Sequence, residues 1–199
     1  MSEQQSELVR RGLRIEYLSL AWMAVETLVV LSAGFWASSL ALLAFGGDSI
    51  IELISSWTVL TYLRRIETAQ TVDEQKAEWI TTFLLFLLIP TIALGLIFSY
   101  LTGVRAEASV LGIGVAVGSV IIMPLLAIEK KRIGARGNLT PLSIDAVESW
   151  TCFFMSIALL GGLLANYVWN VWWVDSVAAC IILVFILREA FEALEEVRK

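Results

Sequence analysis

The 199-residue chain contains no histidine. That absence removes the commonest nitrogen ligand for transition metals and the side chain that most readily changes charge near neutrality. Cysteine is scarce as well. Cys152 and Cys180 both lie inside apolar segments, so each reads first as a buried thiol and no disulfide framework is expected. Charge is missing over long runs. Trp79 to Leu101 is 23 residues without a charged side chain, and Ala108 to Ile128 is another 21. Each is long enough, at about 1.5 Å per residue, to cross a hydrocarbon core. The opening "MSEQQSELVRRGLRIEY" lacks a short apolar centre followed by a small-residue cleavage site, so no removable signal peptide is expected.

What is present is largely apolar: 58% of residues are hydrophobic and only 17% charged, with a mean hydropathy of +0.80. Such a balance in long blocks marks an all-α polytopic membrane protein, not a soluble domain. Six helices are expected, roughly 15–36, 39–63, 79–101, 108–128, 142–165 and 171–192. This gives an N-terminal segment 1–14, a six-helix transmembrane domain 15–192 and a short tail 193–199. The first two helices are divided at "AGFWASS", where Gly34 and two serines permit a tight turn. Thr140-Pro141 reads as the N-cap and first turn of the fifth helix, "NYVWN" as the break before the sixth, and Asp175 as the N-cap of the sixth. Gly114, Gly118, Gly161 and Gly162 read as close helix packing. Trp79, Trp169, Trp172 and Trp173, near the span ends, read as interface anchors.

Basic residues set the expected orientation. Thirteen fall on one side: Arg10, Arg11, Arg14, Arg64, Arg65, Lys76, Lys130, Lys131, Arg132, Arg136, Arg188, Arg198 and Lys199. Arg105 alone falls on the other. Both termini are therefore expected in the cytoplasm of a multi-pass protein of the inner or plasma membrane. The run "EKKRIGARGN" reads as a loop that determines topology, not as a nucleic-acid patch.

Acids are concentrated where lipid would exclude them: Glu26 in the first helix, Asp48 and Glu52 in the second, Asp145 and Glu148 in the fifth. A carboxylate at mid-bilayer costs at least about 2.5–3.5 kcal/mol, so such groups usually face a cavity and serve function. Asp48/Glu52 and Glu148/Cys152 are i,i+4 pairs and Asp145/Glu148 an i,i+3 pair, so each pair shares a helix face. Depth counting at about 1.5 Å per residue levels Asp48 with Cys152 and Glu52 with Glu148 if the two helices run antiparallel. No Lys or Arg falls at the depth of Asp48 and Glu52. The expected metal ligands are Asp48, Glu52, Glu148 and Cys152, with Asp145 and Glu26 as further candidates. Carboxylate oxygens suit hard or borderline divalent cations, and a thiolate adds preference for Zn²⁺ or Cd²⁺. Asp145 also suits the N-terminal dipole of its own helix, and Glu26 alone could serve only to bond a neighbouring helix.

These residues carry a resemblance to the cation diffusion facilitator superfamily. "SSLALLAFGGDSIIELISS" resembles its second-helix run, in which two metal ligands stand four apart; Asp48 and Glu52 occupy those positions. "LSIDAVESWTCFF" resembles its fifth-helix run "A-D-A-x-H-x-x-x-D", with Glu148 at the histidine and Cys152 at the final aspartate. "WWVDSVAACIILVFILREAFEAL" resembles its sixth helix, with Ser176 in place of a usual proline. Within the superfamily the chain looks closest to the short six-helix branch related to the vertebrate vesicular zinc transporters. The resemblance implies a six-helix bundle, typically a homodimer. The cytoplasmic C-terminal domain of the larger members is not expected, so membrane helices would hold any dimer. It implies export of a divalent metal, most often Zn²⁺, in exchange for protons, with the metal as cargo and no prosthetic cofactor. Three rivals are weighed beside it: a proton-coupled exporter of organic cations using Glu26 with Trp22, Phe35 and Trp36, a non-transporting membrane scaffold, and an intramembrane aspartyl protease. The protease requires "FGGD" to act as a G-x-G-D motif, but Phe45 stands at its first glycine. The expectation is a transporter, not an enzyme.

Overall fold

A computed structural model describes the backbone of residues 3–68, 75–102 and 105–197. Over these residues the chain is six α-helices: α1 (Glu3–Ala37), α2 (Leu40–Thr68), α3 (Gln75–Thr102), α4 (Val110–Gly137), α5 (Thr140–Trp169) and α6 (Trp173–Val197). The side chains of Lys76 and Trp79, and residues Arg198 and Lys199, lie outside the described residues.

Every helix runs past the apolar stretch that announces it. The flanking residues are mostly Glu, Gln, Lys and Arg, which are good helix formers, and backbone hydrogen bonding does not stop where hydrophobicity does. α1 therefore begins at Glu3 and carries the charged residues up to Arg14 on the same helix. "EKKRIGARGN" is not a loop, because α4 continues through Gly137.

The turns are tight. Ser38, Asn138 and Asn170 adopt positive φ of 50°, 52° and 52°, the left-handed conformation that ends helices. At the first turn Gly34 stays helical and Ser38 reverses the chain instead, with the Ser39 amide donating to the Gly34 carbonyl at 3.0 Å. Gly34 serves packing: a Cβ there would lie 3.0 Å from the Cβ of Leu42. Thr140 is not the cap of α5 either. Leu139 takes that place without a side-chain hydrogen bond, and Pro141 sits in the first turn, where its missing N–H is no loss.

Asp175 departs from expectation most usefully. It lies inside the first turn of α6, and its carboxylate caps α2. It accepts from the Ser39 hydroxyl, from the Leu40 amide at 2.9 Å and from the Ala41 amide at 3.3 Å. The first amides of a helix have no intrahelical partner, so α6 supplies for α2 what a local cap supplies elsewhere.

α4 packs against α5 and α1, α2 against α1, α5 and α6, and α5 against α6; α3 lies against α2 and α6. Two apolar clusters result. The larger centres on Met23, Phe45, Met123, Met155 and Ile182. The smaller, toward the ends that carry most basic residues, joins Val9, Leu13, Leu60, Leu63, Ile133 and Leu142. Gly118 lets the Trp22 ring approach to 2.6 Å of where its Cβ would be, and Gly162 admits Ala178 at 2.7 Å; Gly114 and Gly161 face open space instead. Five of the six helices are long and apolar enough to span a membrane. α6 falls short of that criterion because every 18-residue window of it holds at least three charges. Cys180 on α6 is exposed, not buried.

Candidate functional site

Polar side chains enter the bundle at two levels, in order along α1, α2, α4 and α5. The first lies next to the smaller apolar cluster. Lys130 of α4 is fully buried, at 0% exposure. Its Nζ donates to Asp145 of α5 and to the Ser149 hydroxyl at 3.3 Å, and lies 3.7 Å from Glu16 of α1. Ser56 of α2 donates to the other Asp145 oxygen at 2.9 Å. Four helices thus meet at one ammonium. Asp145 is engaged here, with a cation and a hydroxyl as its direct partners.

About one turn further in lie Asp48, Glu52, Glu148 and Cys152, on the facing sides of α2 and α5. Asp48 is 4% exposed, Glu52 6% and Cys152 1%. The Cys152 thiol lies beside Glu52, and Glu148 lies beside Ser55. The register between α2 and α5 therefore slides by up to a turn from the depth count: Glu52 meets Cys152 directly, and Glu148 meets Ser55. The depth count took Arg64 and Thr140 as markers of one level, whereas α2 runs on to Thr68. Asp48 remains within electrostatic range of Glu148.

Both Glu52 oxygens and one Glu148 oxygen are buried without a hydrogen-bond partner. Among the described residues no Lys or Arg forms an ion pair with Asp48, Glu52 or Glu148. Buried carboxyl oxygens left without partners are costly and rare in folded proteins. Nor do these side chains already form a cage. Among the described residues no group of three or more Cys, Asp or Glu side chains is drawn together tightly enough to hold a metal ion.

Glu26 sits apart on α1, fully buried, accepting from Ser119 of α4 through one oxygen, with the other unpartnered. Its charge is nevertheless felt by Glu52 and Cys152. Two acids escaped the sequence reading. Glu16 lies at the very start of the first apolar stretch, where it passes for a flanking charge. Glu189 reads as part of the polar end of α6, yet its carboxyl group lies beside Asp48 of α2 and near Thr151 of α5. The one signal for Glu189 is spacing: it is seven residues after Ile182 and three after Ile186, both fully buried.

A multi-pass helical bundle that buries acids on facing helices, with polar atoms held unpaired inside the membrane, is the architecture of a transport protein. The family comparison is specific. The model described as "Cation efflux transmembrane domain" matches residues 17–199. The chain belongs to the cation efflux family, the cation diffusion facilitators, and is a metal cation transporter of that type; the family is one of transporters. Comparison with curated proteins returns no match.

Proposed function

We propose that the protein exports divalent metal, Zn²⁺ foremost, from the cytoplasm in exchange for protons. Asp48, Glu52, Glu148 and Cys152 bind the cargo, Glu26 adds charge from α1, and both termini face the cytoplasm. One observation carries this reading: the Glu52 carboxylate is buried with both oxygens unpartnered, beside a thiol and near two further acids. The missing counter-charge is then the cargo.

The metal is substrate, and the residues fit one. Three carboxyl groups and one sulfur from two helices match the donor preferences of Zn²⁺ and Cd²⁺ better than those of Mg²⁺, which prefers oxygen alone and keeps its water. Loading requires the side chains to converge, since they do not enclose an ion as they stand. Rotamer changes at Glu52 and Glu148 suffice for part of this, because neither side chain is held through all its oxygens. Ligands must be deprotonated to bind, so protons on the far side compete for the same oxygens and release the ion. Rocking of helices about the site supplies alternating access. Asp145 stays with Lys130 throughout. The bundle works as a homodimer held by its membrane helices.

The test is Zn²⁺ flux into proteoliposomes holding an indicator dye, with and without an imposed pH gradient. Flux that rises when the receiving side is acidic, and disappears in Asp48→Ala/Glu52→Ala, is the expected result. Undiminished flux in that variant places the site elsewhere.

A further inference from the structure

α6 contributes no ligand to the site just described, but it carries one acid that points there. Glu189 is partly buried at the junction of α2, α5 and α6. Its carboxyl group lies within hydrogen-bonding reach of Asp48, and its other neighbours are Thr151, Glu148 and Glu52. By contrast Glu192, three residues on, is exposed and pairs with Arg188 at 2.7 Å. The two acids of one short stretch thus face opposite ways, one to a surface cation and one to the acids of α2 and α5.

Two carboxyl groups in contact at low dielectric need a proton or a cation between them, and a divalent ion can take the place of that proton. An acidic cluster alone would not define a site. Here a second, independent feature exists: Glu52, one turn along α2 from Asp48, is more than nine-tenths buried and has no partner for either oxygen.

We propose that Glu189 is a third-helix metal ligand, which makes the cargo site a junction of α2, α5 and α6 instead of a pair of facing helices. This rests on the reading under Proposed function and deepens it. The chain has no histidine, so any donor beyond the four of α2 and α5 must come from oxygen or sulfur, and Glu189 is an acid beside an expected ligand. A carboxylate from α6 also couples the ion to the helix whose Asp175 caps α2, so that α2 and α6 carry the cargo together.

The experiment is Zn²⁺ titration of the purified full chain by calorimetry, then Zn²⁺ and Mn²⁺ flux in proteoliposomes, for wild type, Glu189→Gln and Glu192→Gln. Glu189→Gln is expected to weaken Zn²⁺ binding by about tenfold or more, the range seen when groups supporting a metal are removed. It should also change the Zn²⁺-to-Mn²⁺ flux ratio, while Glu192→Gln behaves as wild type. A purely supporting role for Glu189 would lower the melting temperature of metal-free protein and leave the affinity of the folded fraction alone; that result overturns the proposal. So does wild-type affinity in Glu189→Gln. Should that variant not fold, Glu189→Asp, whose carboxylate is drawn back by one methylene, takes its place, and wild-type affinity there overturns the proposal equally. Failure of wild type to bind or move any divalent ion would instead overturn the reading of the function.

Discussion

Replacing Lys130 by methionine tests the buried charge level beneath the site. The change keeps most of the length of the side chain, one atom short, and removes its charge. In the folded protein it strands Asp145, whose direct partners are Lys130 and Ser56, and Glu16, whose oxygens accept no hydrogen bond at all. Breaking a buried ion pair from one side costs about 3–5 kcal/mol, because the remaining charge is uncompensated. For a chain of this size 1 kcal/mol moves the melting temperature by about 2–4 °C, so Lys130→Met should lower it by about 6–20 °C. The double variant Lys130→Met/Asp145→Asn removes both members of the closest pair and should regain at least half of that loss, since a buried pair replaced by neutral groups of similar volume is often tolerated. The assay is thermal unfolding in detergent of the two single variants and the double, which together isolate the coupling between the sites. A single variant melting within about 2 °C of wild type would refute the reasoning, as would strict additivity.

Other expectations follow from individual contacts. Asp175→Ala removes the acceptor for the Ser39 hydroxyl and the Leu40 and Ala41 amides; it should cost about 1–2 kcal/mol, with faster hydrogen exchange at those two amides. Gly118→Ala places a methyl group 2.6 Å from the Trp22 ring and should destabilise by about 1–3 kcal/mol, while Gly114→Ala, which meets nothing within 4 Å, should be neutral or slightly stabilising by the same melting assay. Cys152→Ser should weaken Cd²⁺ binding more than Mn²⁺ binding in competitive titration, because it exchanges a soft donor for a hard one; equal weakening would remove the thiol from the site.

Much of the fold was legible because lipid enforces it. Charge-free runs announced α3 and α4, and "AGFWASS" announced the first turn, since a chain that must re-enter the bilayer leaves few choices of place. The ends of the helices were not legible, because hydropathy reports the slab and not the hydrogen-bonding pattern that carries α4 on to Gly137. The same limit hides Lys130. One turn beyond an apolar run it looks like any basic flanking residue, and only the packing of α1 and α5 against α4 shows that it turns inward. Asp175 was read with its own helix because capping is usually local. Glu189 was lost among the charges that close α6, where only its separation from buried Ile182 and Ile186 marked it as inward. The acids Asp48, Glu52 and Glu148 were legible because nothing in an apolar helix explains a carboxylate.

The two polar levels act on each other. The charge of Lys130 is felt by Glu52 and Glu148, and the charge of Asp145 opposes it at both. At Glu52 the lysine is the stronger of the two, and at Glu148 the aspartate is. Three carboxylates with a divalent ion leave an excess negative charge, which a bilayer tolerates poorly. A fixed ammonium one turn away offsets part of that excess whether or not cargo is bound, and unlike a proton it cannot leave with the ion. In the histidine pattern that the fifth helix resembles, a neutral ligand holds the charge of the site down. Here Glu148 stands at that position, and the buried lysine on the neighbouring helix acts chiefly on Glu52, where its charge outweighs that of Asp145. On the proposed site, Lys130→Met should lower Zn²⁺ flux in proteoliposomes, and Glu148→His, which removes one negative charge beside Asp145, should restore part of it; no gain in the double variant would refute the charge argument.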